Sequence, residues 1–170
     1  MKSALRASDP REDIIEHMGE MRAFARSLTR NAASADDLVQ DTIEKAWKGF
    51  HTFTPGTNLR AWLFTILRNT HYANLRKTRR AHIVPVEPLN EVLVGHQGGD
   101  AHLDMIDFER ALGMLPVEQR EAIVLIGASG LSYEEAAQTC NVSIGTIKSR
   151  VNRGRARLAA LLGRQDREIP

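Results

Sequence analysis

Six side chains near the end of the chain, Ser143, Thr146, Lys148, Ser149, Arg150 and Arg153, place hydroxyls and fixed positive charges on the outward side of one helix start. That set can recognise a polyanion. Guanidinium and ammonium groups pair with phosphate or with base edges, hydroxyls bond to either, and the helix N-terminus itself favours a phosphate oxygen. The surrounding stretch, 143–164, holds six Lys or Arg residues and no acid, and a second stretch, 68–80, holds five and no acid. Six of the nine aromatic residues lie between Trp47 and Tyr72, so rings crowd beside the second cationic track. Such a combination suits stacking on unpaired bases. Phe53 in a loop and Tyr72 on a polar helix face can offer the flat surface, whereas Trp47, Phe50 and Trp62 fall on apolar stripes and read as core. From His82 to Glu121 acids outnumber bases, and the net charge is only +2. Two basic blocks around an acidic middle imply two polyanion contacts joined by a spacer.

Other chemistries lack their residues. The six histidines, His17, His51, His71, His82, His96 and His102, include no pair at the i, i+4 spacing of a helical zinc site, and Asp13 with His17 makes too few ligands. All six are expected on surface helices or loops. There is no Gly-rich phosphate loop and no Ser-His-Asp arrangement, so nothing supports an enzyme, a cofactor, a metal or a small-molecule substrate. The single cysteine, Cys140, leaves no intrachain disulfide and no cysteine-built zinc site; it lies in an apolar turn and reads as a small core residue. The first ten residues lack a signal-peptide stretch, and the longest apolar runs are too short to span a bilayer. A soluble protein of the reducing cytoplasm is expected, with no membrane partner.

Helices must position these residues, and helical periodicity runs through the chain. At 42% hydrophobic residues there is material for packed cores. After a loose tail over 1–9, Pro10 stands near the start of a helix from about Glu12 to Arg30, with Ile14, Ile15, Met18, Met21, Ala25 and Leu28 on its apolar face. Ser34 is expected to cap the next helix, with Asp36 and Asp37 in the first turn, where the dipole favours negative charge. Val39, Ile43, Ala46, Trp47 and Phe50 form its apolar stripe, opposite Asp37, Gln40, Asp41, Glu44 and Lys48. A loop with a Pro55-Gly56 turn leads to Asn58, which caps a third helix from Leu59 to about Arg80. Leu59, Trp62, Leu63, Ile66, Leu67 and Thr70 mark its buried face; Asn69, Tyr72, Arg76 and Arg80 lie on the other.

From Ala81 to Leu103 the periodicity fails among prolines and glycines, which reads as a flexible linker. A second helical unit begins near Asp104, with Met105, Phe108, Leu112 and Leu115 on one face. Pro116 restarts the chain into a helix bearing Ala122, Ile123, Leu125 and Ile126, stopped by the turn Gly127-Ala-Ser-Gly130. Ser132 and Glu135 form a capping box for another helix. Cys140-Asn-Val-Ser143 is a tight turn, and Ser143 caps a last helix running to about Leu162. No segment has a strand period, so the expected fold is all-α. The stretch 131–157 is the strongest local pattern: two helices joined by a short turn, the second basic, as a DNA-binding helix-turn-helix requires. Ala136 and Ala137 let the pair cross closely, and Val142, Ile144, Ile147 and Val151 are expected to hold the second helix on the first.

These segments resemble a known family. Asp36-Asp-Leu-Val-Gln-Asp-Thr-Ile-Glu-Lys-Ala-Trp47 is similar to the region 2.2 helix of extracytoplasmic-function (ECF) sigma factors, and Asn58-Leu-Arg-Ala-Trp-Leu-Phe-Thr-Ile-Leu-Arg-Asn69 to regions 2.3 and 2.4. Leu115-Pro-Val-Glu-Gln-Arg-Glu-Ala122 resembles the beginning of region 4; Leu131-Ser-Tyr-Glu-Glu-Ala-Ala137 and Gly145-Thr-Ile-Lys-Ser-Arg150 resemble its helix-turn-helix. The resemblance covers nearly the whole chain in order. It implies two small helical domains: a sigma region 2 bundle over 10–80 and a sigma region 4 helix-turn-helix over 104–164, joined by the linker 81–103. It implies that Asp37, Gln40, Asp41, Glu44 and Lys48 dock on the β′ clamp helices of core RNA polymerase, and that region 4 meets the β flap. Thr52, Phe53, Asn58, Asn69, Tyr72, Arg76 and Arg80 then hold the opened −10 element of promoter DNA. Ser143, Thr146, Lys148, Ser149, Arg150 and Arg153 read the −35 element as duplex. The polymerase, and not this chain, would perform the phosphodiester chemistry.

A narrower resemblance lies in Phe53-Thr-Pro-Gly-Thr-Asn-Leu-Arg-Ala-Trp-Leu-Phe64 and Ile126-Gly-Ala-Ser-Gly130, which are similar to the EcfG-type general-stress-response branch. That branch implies a NepR-type anti-sigma factor, released by a PhyR-type response regulator, gripping the apolar surfaces of both domains. Ala73 stands where many relatives carry an acid. Two rivals remain at this stage. A sigma-like mimic that only binds an anti-sigma factor usually accompanies a receiver domain, which this length cannot hold. A dimeric helix-turn-helix regulator leaves the block from Trp47 to Arg80 unexplained.

Overall fold

A computed structural model describes residues 13–81 and 100–163, with side chains from residue 107 onward in the second stretch. The expected tail over 1–9 and most of the expected linker, 82–99, lie outside the described residues. Over the described residues every regular element is helical and there is no strand.

The expected first helix is two: α1 (Asp13–Glu16) and α2 (Met18–Thr29), separated at His17. Gly19, just after the break, has little helix preference of its own. Helix α3 (Ala32–Lys48) starts a turn earlier than Ser34 would allow. Its cap is Asn31, whose extended backbone lets the side-chain oxygen accept from the Ser34 N–H at 2.8 Å; asparagine is as good a cap as serine. A 3-10 turn, Phe50–Thr52, leads through the loop to α4 (Leu59–Arg80), capped by Asn58 as its sequence requires. The interior of this unit is made by Met21, Phe24, Ala25 and Leu28 of α2, Ala35, Leu38, Val39 and Ala46 of α3, and Leu63, Phe64 and Leu67 of α4. The Phe24 and Phe64 rings meet at 5.1 Å between centroids. The buried arc of α4 is rotated from the expected one. Leu59, Trp62 and Ile66 are half-buried, while Phe64 and His71 lie inside. Packing on both flanks of α4 explains this: α2 and α3 cover one side and α7 the other.

The second unit comprises α5 (Asp100–Gly113), α6 (Val117–Ile123), α7 (Tyr133–Cys140) and α8 (Ile144–Leu161). Helix α5 begins inside the stretch read as linker, and Phe108 is exposed while Ala111 and Leu115 are buried. Helix α6 runs on into a π-helical turn, Val124–Ala128, which ends at Gly130 with φ of +61°, a left-handed backbone that favours glycine. The Ser132–Glu135 capping box forms with both reciprocal bonds, 2.8 and 3.1 Å. Helix α8 lies so close to α6 that a Cβ on Gly154 would stand 2.6 Å from Ile123 Cδ1. Ile147 and Val151 are buried beneath it as expected. Ile144 is not: as the first residue of α8 it faces solvent, and Val142 in the turn packs against the core instead.

The two units form one body. Helix α4 packs along α7, and α2 packs against α6 and the π-helical turn. A single buried cluster runs from Ile14, Phe24 and Leu67 through to Leu125, Cys140 and Val151. Burial pushes the Cys140 thiol up to about 11, which fits a packing role rather than a reactive one.

Candidate nucleic-acid and polymerase interface

The outer face of α8 is set by its cap. Ser143 Oγ accepts the Thr146 N–H at 3.2 Å and lies 2.9 Å from the Thr146 hydroxyl, so both are fixed at the helix start. Ser143, Lys148, Ser149 and Arg153 are exposed; Thr146 and Arg150 are half-buried beside them. Lys148 Nζ lies 5.9 Å from the centre of the Tyr133 ring on α7, which steers it across the top of the helix pair. All six residues are thus brought to one basic surface.

On α3, Asp37, Gln40, Asp41, Glu44 and Lys48 are exposed and line one face, as expected. Lys48 pairs with Glu44 one turn away and holds its carboxyl below the usual carboxylate range. Asp41 receives a 3.4 Å bond from Asn74 Nδ2 of α4. Trp47 corrects the sequence reading. Expected in the core, it is 54% exposed, beside Ile43 and between Gln40, Glu44 and Lys48, lining with them a shallow apolar groove. The buried arc of α3 is Ala35, Leu38, Val39, Thr42 and Ala46, and one further residue turns the chain outward. A polar residue takes the inner position because the Thr42 hydroxyl donates to the Leu38 carbonyl at 2.7 Å. Trp47 stands at i+3 from Glu44 and i+7 from Gln40, a spacing that could have revealed it as a member of their face.

The aromatic and basic region divides. Phe50, Phe53 and Trp62 form a cluster of rings with centroids 5.4–5.9 Å apart. Phe53 is therefore partly engaged by its neighbours, not a free plate, and Thr52 beside it is exposed. Asn69, Arg76 and Arg80 are exposed along one side of α4. Tyr72 and Asn58 are committed elsewhere. The Tyr72 hydroxyl donates to Glu121 Oε1 at 2.6 Å, and burial together with that carboxylate pushes its pKa well above the usual range. Asn58 Nδ2 donates to Glu135 Oε1 at 2.7 Å. The Glu135 carboxyl is lowered chiefly by the Ser132 backbone bond, with Asn58 helping.

His71 also differs from expectation. It is buried, edge-on to the Tyr72 ring at 5.2 Å, and burial with Arg68 and Arg120 nearby lowers its pKa. The partners of Arg68 and Glu121 across the seam, and the bond from Asn58 to the capping-box residue Glu135, were not legible in the sequence; a carboxylate on the seventh residue of a region beginning Leu115-Pro carried no signal that it would be wholly buried.

Comparison with known proteins identifies the family of both helical units. The family model for sigma-70 region 2 matches residues 14–81, and that for sigma-70 region 4 matches residues 105–158. The ECF RNA polymerase sigma factor EcfG of Rhodopseudomonas palustris (strain TIE-1) is 50% identical over 152 residues, covering 89% of this chain and 84% of its own. The sigma factor RpoE of Bartonella quintana, solved in complex with the anti-sigma factor NepR, matches with a TM-score of 0.82 at 46% identity, over 94% of this chain and 100% of that one. CnrH, solved with the cytosolic domain of CnrY, matches with a TM-score of 0.66 at 31% identity, over 94% and 93%. With both sigma-70 regions in order and such relatives along nearly the full length, the chain belongs to the ECF RNA polymerase sigma factors and resembles the EcfG type among them.

Proposed function

We propose that this chain directs core RNA polymerase to promoters of general-stress genes, with residues 10–80 docking on polymerase and trapping the melted −10 strand, and residues 104–164 holding the −35 duplex. The observation that carries this reading is the presence, on one chain, of two separate basic helix faces of different character. The α8 face is polar and presented at a helix start, as duplex reading needs. Helix α4 exposes Asn69, Arg76 and Arg80 along one side and carries the Phe50–Phe53–Trp62 ring cluster at its N-terminal end, the cationic and aromatic groups that strand capture needs. Opening DNA costs a few kcal/mol per unstacked step. Stacking and phosphate contacts offset part of that cost.

Core binding is assigned to Asp37, Gln40, Asp41, Glu44 and Lys48, with Trp47 as the aromatic anchor at their centre. The chain has no catalytic step of its own and works in the cytoplasm. Because the Bartonella relative was solved with NepR, the inhibitor is assigned to the same class, a NepR-type protein. The test is transcription in vitro with core polymerase on a candidate stress promoter, with and without such a protein. Specific transcripts that the NepR-type protein suppresses are expected. Trp47→Ala should weaken core binding by about 2 kcal/mol or more, as anchors at interface centres do, while leaving the fold intact. A purified chain that fails to bind core polymerase without any inhibitor would reject the reading.

A further inference from the structure

A group of basic residues outside the polymerase, −10 and −35 sets converges on one cavity. Arg30, the C-cap of α2, Arg120 of α6 and Arg157 of α8 line an opening of about 660 Å³, with Met114, Val117 and Leu161 among its apolar walls. Arg30 and Arg157 are exposed, whereas Arg120 is only 6% exposed. Arg120 Nη1 donates to the Gly113 and Leu115 carbonyls, at 3.1 and 3.3 Å, where α5 ends. Its Nε has no hydrogen-bond partner among the described residues. The Arg30 guanidinium comes to the same place: a Cβ on Gly113 would lie 3.7 Å from Arg30 Nη2. Burial first, and then the Arg30 charge, depress the Arg120 pKa, yet a guanidinium keeps its proton. Among the described residues neither Arg120 nor Arg157 makes an ion pair. Glu121 opposes the shift at Arg120, but its oxygens are held by Arg68 and Tyr72. A buried cation is costly until an anion and hydrogen bonds replace its water.

We infer that this cavity is a binding site for a small phosphorylated molecule with two or three linked phosphates, held by Arg30, Arg120 and Arg157, its organic part lying on the apolar wall of Met114, Val117 and Leu161. Guanidinium forks match phosphate oxygens in pairs, and three of them suit a ligand of several negative charges. A lone carboxylate would meet one of the three. The volume is that of a pocket for a small molecule. Duplex DNA is the competing polyanion. Its convex backbone can touch the exposed Arg30 and Arg157, but a ligand must enter the cavity to meet Arg120. The site draws on no residue of the proposed transcription function, so either can fail without the other.

The test titrates inorganic pyrophosphate and ADP into the full-length chain by calorimetry, at physiological ionic strength, where loose surface attraction is screened. Both should bind saturably at one equivalent per chain. Arg157→Gln, at an exposed position, should weaken both by about tenfold, as loss of one charged hydrogen-bonding group does. Arg30→Asn should act similarly, since asparagine tolerates the left-handed backbone there, φ of +57°. Arg120→Gln should weaken binding further. Because it also frees the carbonyls at the end of α5, circular dichroism must first show it folded, and the other two variants decide the matter if it is not. Arg79→Gln removes the same charge from α4, outside the cavity, and should bind as the parent does. Absence of saturable binding of either probe at millimolar concentration overturns the site. So does binding that Arg79→Gln weakens as much as Arg157→Gln, which would be attraction by net charge. A random-sequence duplex that displaces pyrophosphate, and binds Arg157→Gln and Arg30→Asn about tenfold less tightly, would give the cluster to the DNA backbone and overturn it too.

Discussion

Helices α4 and α8 both carry a basic outer face, yet they stand in opposite states. The α8 face is the more open: Ser143, Lys148, Ser149 and Arg153 are exposed, with Thr146 and Arg150 half-buried beside them, and Lys148 leans on the Tyr133 ring. The α4 face is divided. Asn69, Arg76 and Arg80 are exposed, but Asn58 and Tyr72 are bonded across the seam to Glu135 and Glu121. On the proposed assignment, duplex reading and strand capture are therefore not equally available. The residues proposed to read duplex DNA stand largely exposed, whereas two of those proposed to hold the opened strand are bonded to the second unit.

The comparison can be broken most forcefully at the open face. Lys148→Ala together with Arg150→Ala should weaken −35 duplex binding by about 1–3 kcal/mol for each base contact removed, measured by titration at two salt concentrations. Undiminished binding and transcription would remove α8 as the reader. At the engaged face, Tyr72→Ala should impair strand opening by about 1–3 kcal/mol, the worth of one stacked base. Tyr72→Phe keeps the ring, loses the bond to Glu121, and should open promoters at least as well as the parent. Permanganate reactivity of the melted region distinguishes them; equal loss in both variants would assign the role to the hydroxyl instead of the ring.

A third test concerns the seat of the open face. Gly154→Ala forces a methyl against Ile123 and should lower stability by about 1–3 kcal/mol, as overpacking does, seen as a lower melting temperature with duplex binding lost in parallel. The smallest effect is expected from His71. Its folded pKa lies below the ordinary value near 6.5, so protons favour the unfolded or opened state. The contribution is complete above about pH 6.5 and declines as pH falls through the folded value. His71→Gln should flatten that part of the stability–pH curve, and an unchanged curve would exclude this residue as its source.

Local rules were legible in the chain. Asn58, Ser132 and Ser143 cap the helices they were expected to cap, because each cap is a contact between residues three apart and needs no knowledge of the fold. What could not be read depends on partners distant in sequence. Trp47 looks like core because hydrophobicity alone cannot rank it against Thr42, whose hydroxyl is satisfied by its own helix. His71 and Glu121 look like surface residues because the interior they occupy exists only where α4 meets the second unit. The exposed sets on α3 and α8 were legible for the same reason that the caps were: a helix face is a local property.

The buried cluster that continues from Phe24 to Val151 without a break at the junction has a bearing on how the protein melts and how it survives cutting. Where apolar interior is shared, neither half retains a complete core alone, so heat or denaturant should release both in one cooperative transition. A protease that severs the chain between residues 81 and 100 should then leave two fragments that copurify, held by that shared interior.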